Sequence, residues 1–176
     1  MALEHALLIA LREHPASGAD LARRFSRSIG FFWQATHQQI YRVLGRMEKD
    51  GWVSVTELAH PDRPVTKEYA VTDLGAQALA DWLAEPSPRI DLRSELALKL
   101  RGASFGDREA VLATVRANLA DHRTRLAYYR ELAARDYPDP ASLTGLDLDH
   151  HLVLRGGILM EETWVAWLTE YLEAHS

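Results

Sequence analysis

Apolar residues recur at helical spacing in three successive segments near the start of the chain. Pro15 ends the first segment, and Ser17 can cap a helix that follows it, so the pattern predicts separate helices. The stripes that must be buried are Leu3, Leu7, Leu8 and Leu11, then Leu21, Ala22 and Phe25, then Ile40, Val43, Leu44 and Met47.

The third predicted helix, residues 36–51, has two faces of different character. Thr36 followed three residues later by Gln39 is the pattern of a capping box, which predicts where the helix begins. Gln38, Arg42 and Lys49 lie directly opposite the apolar stripe, and Tyr41 and Arg46 flank them. Glutamine and arginine can hydrogen-bond two edge atoms of one base, and cationic side chains neutralise phosphates. Taken alone, the helix fits an ordinary solvated amphipathic helix better, but the segments around it favour a DNA-reading helix.

Two short segments after this helix show the pattern of a β-hairpin. Residues 52–58 and 65–71 alternate apolar and polar side chains, as strands with one buried face do. The link between them contains two prolines, which cannot continue a strand ladder, and Arg63 and Lys67 add positive charge to the hairpin. The order helix, helix, helix, hairpin predicts a winged helix-turn-helix, a mainly α fold with a small two-stranded wing.

The sequence pattern in the second half of the chain predicts a helical domain. Two prolines within residues 85–88 mark a boundary, so we predict a DNA-binding domain over residues 1–85 and a helical domain over residues 93–176 for dimerisation and effector binding. A long helix over residues 107–135 carries a heptad seam of Leu112, Val115, Leu119, His122, Leu126, Tyr129 and Ala133. The last helix, residues 149–173, is apolar on more than one stripe, which predicts a homodimer.

Composition and charge narrow the function classes. The 176-residue chain is 47% hydrophobic, contains no cysteine and has a net charge of −5. Residues 1–72 carry nine Lys or Arg against eight Asp or Glu, whereas residues 73–176 carry eleven against seventeen. A locally basic surface on an acidic protein favours site-specific over diffuse DNA binding. No segment has the length of a membrane span or the form of a signal peptide, so we expect a cytoplasmic protein.

The residue pattern bears on three other kinds of site: a metal site, a catalytic site and a small-molecule pocket. His150–His151 and Glu161–Glu162 lack a third well-spaced ligand, so we predict no metal site and no cofactor. Nothing resembles a catalytic nucleophile with its base, and we predict no enzyme. Gly156–Gly157 inside a helical pattern indicates room for a small molecule or close helix packing, of which close packing is favoured. The aromatic run at residues 31–33, with Trp164 and Trp167, could line an apolar effector pocket between the two domains.

The first half of the chain resembles the PadR family of bacterial transcriptional regulators over about residues 3–85. The matching residues are Pro15, Ser17–Gly18, Asp20–Leu21, Phe25, Trp33, Gln39–Ile40–Tyr41, Leu44, Glu48, Gly51–Trp52, Arg63–Pro64, Lys67, Tyr69, Thr72, Gly75, Leu79 and Trp82–Leu83. The chain departs from the family at Ala19, where an aromatic residue is common, and at Arg42, where proline is frequent. Arg42 extends the basic face of the third helix.

The resemblance implies a ligand-responsive homodimeric repressor of transcription that binds a palindromic operator in double-stranded DNA. We expect DNA contacts from Gln38, Tyr41, Arg42, Lys49, Arg63, Lys67 and Ser17. The resemblance also implies a small aromatic effector, for which we expect contacts from Trp164, Trp167, His151 and Arg155. The alternative is a constitutive or partner-controlled winged-helix factor without an effector. The other ligand-responsive winged-helix dimers, the MarR-like regulators, also remain an alternative.

Overall fold

The computed structural model of the chain describes residues 2–27, 35–60, 63–87 and 94–175. The chain divides into two compact units, Met1–Arg89 and Ile90–Ser176. Within the described residues, no helix combines the length and apolar character needed to cross a membrane. The aromatic run at residues 31–33 lies outside the described residues.

The first unit is a three-helix core followed by a hairpin and a fourth helix. Its elements are α1 (Ala2–Glu13), β1 (Ala16–Ser17), α2 (Gly18–Arg27), α3 (His37–Lys49), β2 (Val53–His60), β3 (Arg63–Val71) and α4 (Asp73–Ala84). Of the predicted apolar stripes, Leu3 is half-buried and every other member is buried in one continuous core. The winged helix-turn-helix prediction is confirmed, because hydrophobic periodicity determined which face of each helix had to be covered.

The sheet has one strand more than predicted. Strands β2 and β3 form the expected antiparallel hairpin, and the two-residue strand β1 pairs with the other edge of β3, placing Ala16 opposite Tyr69 and Ser17 opposite Glu68. A segment of two residues is too short to show an alternating pattern, so β1 could not be predicted from the sequence. The buried Tyr69 hydroxyl has a pKa raised above its usual value, mainly by desolvation.

The junction of α3, β2 and α4 depends on close backbone approach. Gly51 has φ of 73°, a conformation that favours glycine, directly after α3. The Thr72 hydroxyl donates to the Gly51 carbonyl at 2.6 Å and accepts from the Gly75 N–H at 3.1 Å, which caps α4. A Cβ atom on Gly75 would lie 2.1 Å from the Trp52 carbonyl oxygen, so only glycine fits there.

The second unit is built on two long helices. Its elements are α5 (Glu95–Arg101), α6 (Arg108–Asp136) and α7 (Gly145–Glu173), with short 3-10 turns at Ala103–Phe105 and Pro140–Ser142. Helix α6 buries the Leu, Val and Tyr members of the predicted seam, together with Leu132. Helix α7 begins four residues earlier than we predicted, at Gly145, whose φ is 56°.

Helix α7 leaves much of its apolar surface uncovered within its own unit. It buries Ile158 and Leu168, and Leu168 packs with Leu100, Val115 and Leu119. Its large exposed apolar side chains are Leu146, Leu152, Val153, Leu159, Met160 and Trp167. An exposed set of this size on one helix is typical of a surface that binds a partner.

Candidate nucleic-acid interface

The start of α3 is fixed by the predicted capping box. The Gln39 N–H donates to the Thr36 hydroxyl at 3.2 Å, and the Thr36 N–H donates to the Gln39 side-chain oxygen at 2.8 Å. These reciprocal bonds use the polar groups of both side chains. Gln39 therefore stabilises the helix end, while Gln38 beside it is exposed.

The two faces of α3 separate as expected. Ile40, Val43, Leu44 and Met47 are at most 4% exposed, whereas Gln38, Tyr41, Arg42 and Lys49 are all exposed. At 3.6 residues per turn, Gln38, Arg42 and Lys49 lie within about 40° of one another around the helix axis, but Lys49 is about 16 Å farther along it than Gln38. One side of the first two turns therefore presents an amide, a phenol and a guanidinium together.

An ion pair that the sequence did not reveal ties α3 to α1. The Arg46 guanidinium pairs with the Glu4 carboxylate, whose side chain is 8% exposed. Glu4 lies in the first turn of α1, one of four polar residues in that helix with His5, Arg12 and Glu13, so the sequence pattern did not single it out. Because Glu4 holds it, Arg46 orients α3 rather than adding a free cation to the polar face.

The first turn of α2 lies beside this face. The Ser17 hydroxyl donates to Asp20 Oδ2 at 2.6 Å and accepts from the Asp20 N–H at 3.1 Å. The hydrogen bond from Ser17, followed by the neighbouring Arg23, lowers the pKa of the Asp20 carboxyl below its usual value. To donate to a phosphate, the Ser17 hydroxyl would have to give up its hydrogen bond to the Asp20 carboxylate.

In the β2–β3 hairpin, Lys67 is the cationic side chain that lies within the described residues. Lys67 is exposed on β3 and stands directly opposite Glu57 of β2, so a carboxylate accompanies its positive charge. Arg63 begins β3, but its side chain lies outside the described residues, as do residues 61 and 62 of the tip.

The four effector candidates all lie on α7, and they form two separate pairs. His151 and Arg155 are one turn apart, and so are Trp164 and Trp167, whose rings lie 5.3 Å apart. With a rise of 1.5 Å per residue, Arg155 and Trp164 are about 13.5 Å apart along the helix. The two pairs therefore lie on separate stretches of the helix.

The two pairs differ in what already contacts them. The Trp164 ring stacks on His122 of α6 at 5.1 Å, whereas His151 meets the Tyr137 ring edge-on, and its buried Nδ1 atom has no hydrogen-bond partner among the described residues. Arg155 is exposed. The His151–Arg155 pair thus offers an unused nitrogen and an exposed cation.

A polar centre joins α6 to α7. His122 Nδ1 and Glu161 Oε2 are 2.5 Å apart, and Arg125 Nε lies 3.4 Å from the other carboxylate oxygen. One turn away, the Tyr129 ring fills the space over Gly157, at 3.4 Å from a Cβ built there. Burial first and the Glu161 charge second raise the pKa of the Tyr129 hydroxyl.

The contacts between α6 and α7 show what Glu161 and Gly157 do, which the sequence alone left undecided. Glu161 pairs with His122 rather than with His150 or His151, and the described residues contain no group of three or more metal-ligating side chains. The gap at Gly157 is occupied by a side chain of the same chain, while a Cβ on Gly156 would meet no atom of the described residues within 4 Å.

Two known protein families match this chain, one in each half. The Transcriptional regulator PadR-like family matches residues 7–81, and the family Virulence activator alpha C-term matches residues 92–176. The probable transcriptional regulator Rv1176c of Mycobacterium tuberculosis is 47% identical over 184 aligned positions, which cover 99% of this chain and 97% of that protein.

A second relative has been solved with two different ligands. The negative transcriptional regulator PadR of Bacillus subtilis is 30% identical over 97% of this chain and 95% of its own length. Its crystal structure in complex with operator DNA matches all of both chains, with 28% identity and a TM-score of 0.89. Its complex with p-coumaric acid matches 99% of this chain and 98% of the other, with 27% identity and a TM-score of 0.80.

Proposed function

Because the chain belongs to the PadR-like family of transcriptional regulators, we propose that it is a homodimeric repressor that binds a palindromic operator and is released by a small aromatic acid. It would act in the cytoplasm. The observation that carries DNA binding is α3, a capped helix with one face buried in the core and the opposite face exposing Gln38, Tyr41 and Arg42 near its start. The B. subtilis relative in its operator complex supports the proposal.

The proposed reading mode assigns different tasks to the polar residues. The first turns of α3 enter the major groove, where Gln38 and Arg42 can each bond two edge atoms of one base, while Tyr41 contacts a neighbouring base or sugar. Lys49, far along the same face, is placed for a phosphate. Further contacts to the DNA backbone come from Lys67 and Arg63 of the wing and from Ser17, which directly precedes α2. Such backbone contacts carry little sequence information.

Binding to DNA of selected sequence tests this mode. The probe is a duplex that the wild-type protein selects from a randomised pool, titrated at several salt concentrations. We expect Arg42→Ala to weaken binding to that duplex by about 1–3 kcal/mol and to broaden the selected sequence. Lys67→Ala should weaken binding to all sequences and reduce the salt slope by about one.

The matched control removes a lysine elsewhere. Lys99 of α5 pairs with Glu95 at 2.7 Å in the second unit, so Lys99→Ala should leave affinity and salt slope unchanged. Equal affinity of an Arg42→Ala and Lys67→Ala double variant and the wild-type protein would exclude this surface as the DNA interface.

We propose that the uncovered apolar side of α7 forms the dimer. Leu152 and Met160 are 56% and 64% exposed, and a second chain would remove them from water. A twofold dimer presents its reading helices about 34 Å apart, so the half-sites should be centred about 10 bp apart or a multiple of that distance. Met160→Glu should shift sedimentation of the full chain towards the monomer, whereas Ala110→Glu on the exposed start of α6 should not.

The proposed effector is an aromatic carboxylic acid. The support is the p-coumaric acid complex of the B. subtilis relative together with two groups on α7: the exposed Arg155, which suits a carboxylate, and the buried His151 Nδ1, which has no hydrogen-bond partner in the described part of the chain. A ligand of this kind weakens DNA binding only by its differential affinity for the two dimer states, typically about 1–3 kcal/mol.

Competition between effector and DNA tests this part. We expect p-coumaric acid to quench tryptophan fluorescence and to release the selected duplex, with both effects lost in His151→Ala. Loss of both effects in Trp167→Ala but not in His151→Ala would move the site to the tryptophan pair.

The constitutive or partner-controlled alternative is favoured by one observation. Tyr129 already fills the space over Gly157 that the sequence had offered to a ligand. Constant fluorescence and constant DNA affinity across a panel of aromatic acids would make this alternative the better proposal.

A further inference from the structure

Gly18 and Tyr41 meet where α2 begins beside α3. A Cβ atom built on Gly18 would lie 2.4 Å from Cε1 of Tyr41, 2.9 Å from Cζ and 3.1 Å from Cδ1. Carbon atoms in good contact are about 3.5–4.0 Å apart. The Tyr41 ring therefore occupies the space that any side chain at position 18 would fill.

The backbone conformation of Gly18 gives no other reason for a glycine. Among the described residues, the glycines with positive φ are Gly51 and Gly145, so Gly18 has a conformation that other residues adopt. Alanine is also the better helix former. Glycine fits position 18 because it has no side chain, and the Tyr41 ring lies in the space that this leaves open.

Tyr41 gains a defined orientation from this contact. Its side chain is 48% exposed, and a side chain on an open helix surface usually samples several rotamers. The backbone of Gly18 supports one edge of the ring. A side chain that is already ordered loses less conformational entropy when it binds a partner.

We infer that Gly18 is a positioning residue for DNA binding: it lets the Tyr41 ring lie on the first turn of α2 and thereby orients Tyr41 towards the DNA. The inference rests on the proposed function, because it takes Tyr41 to be a DNA contact. Gly18 itself contributes no side chain to the interface.

Substitution of Gly18 separates positioning from folding. The ring atoms that a methyl group would displace lie at the outer end of a half-exposed side chain, so Gly18→Ala should move the ring while the core stays intact. We expect an unchanged or higher melting temperature, shifted NMR signals of the Tyr41 ring, and about tenfold weaker binding to the duplex selected by the wild-type protein, the order of one lost contact. Gly106→Ala is the matched control, because within the part of the chain that the structure describes its methyl group would meet nothing within 4 Å.

A double-mutant cycle tests whether Gly18 acts through the ring. In a Tyr41→Ala background, adding Gly18→Ala should weaken binding no further. In a Tyr41→Phe background, where the ring remains, it should again weaken binding about tenfold. The inference is overturned if Gly18→Ala binds like the wild-type protein, or if it weakens binding by the same factor without the ring.

The outcomes also distinguish this inference from the proposed function. A wild-type protein that selects no duplex would overturn the proposed function and with it any DNA role of Tyr41, while the NMR signals would still report the contact. A wild-type protein that selects a duplex, with Gly18→Ala binding equally well, would overturn only the positioning role.

Discussion

Removing the Glu161 carboxylate should reveal how much the polar centre stabilises the α6–α7 pair. Its side chain is 12% exposed and the His122 side chain 13%, so the bond between them is largely shielded from water. A hydrogen bond to a charged group contributes about 1.5–3 kcal/mol. The half-exposed Arg125 adds about 0–1 kcal/mol, because water screens it.

We therefore expect Glu161→Leu to lower the free energy of unfolding by about 2–3 kcal/mol. For a chain of this size that loss corresponds to a melting temperature lower by about 4–12 °C. The double variant His122→Leu and Glu161→Leu should recover most of the loss or exceed the wild-type stability, because a buried polar pair replaced by packed apolar side chains is often neutral or stabilising.

Glu162 provides the control for this experiment. It pairs with Arg130 at 2.8 Å, but both side chains are more exposed than those of the polar centre, so Glu162→Leu should cost at most about 1 kcal/mol. Thermal unfolding followed by far-UV circular dichroism, at equal protein concentrations, measures all variants. The reasoning fails if Glu161→Leu is as stable as the wild-type protein, or if the double variant loses the sum of the two single effects.

Three further substitutions probe other parts of the fold. Gly75→Ala should cost several kcal/mol, since its Cβ would lie 2.1 Å from the Trp52 carbonyl oxygen; a melting temperature within about 2 °C of the wild-type value would contradict this contact. Asp20→Asn should be less stable than the wild-type protein at neutral pH. Because the folded-state pKa of Asp20 is lowered, the stability from its charge is present above the usual value of 3.8 and is lost as the pH falls through the lowered pKa, so the two melting curves should converge in acid; a difference that does not shrink as the pH falls below the usual value would contradict this cause. Leu168→Ala should cost about 2–5 kcal/mol by urea unfolding, because the side chain is fully buried; a loss below about 1 kcal/mol would mean that the core closes over the space.

The sequence by itself determined the fold class and most of the element order. Hydrophobic periodicity identified the buried faces of α1, α2 and α3, and local chemistry identified the capping box at Thr36. These features depend on residues three or four positions apart, and such spacing can be read along a chain. The polar face of α3 could be predicted for the same reason, since the side chains opposite a buried stripe must face solvent.

Only the tertiary structure decided which distant groups meet. The Glu4–Arg46 pair, the His122–Glu161 bond and the ring of Tyr41 over Gly18 join residues that are 42, 39 and 23 positions apart. No local pattern signals such pairs, because each depends on how two helices cross and on which rotamers their packing leaves open. The strand β1 has the same origin: its two residues are extended because the edge of β3 was available to bond them.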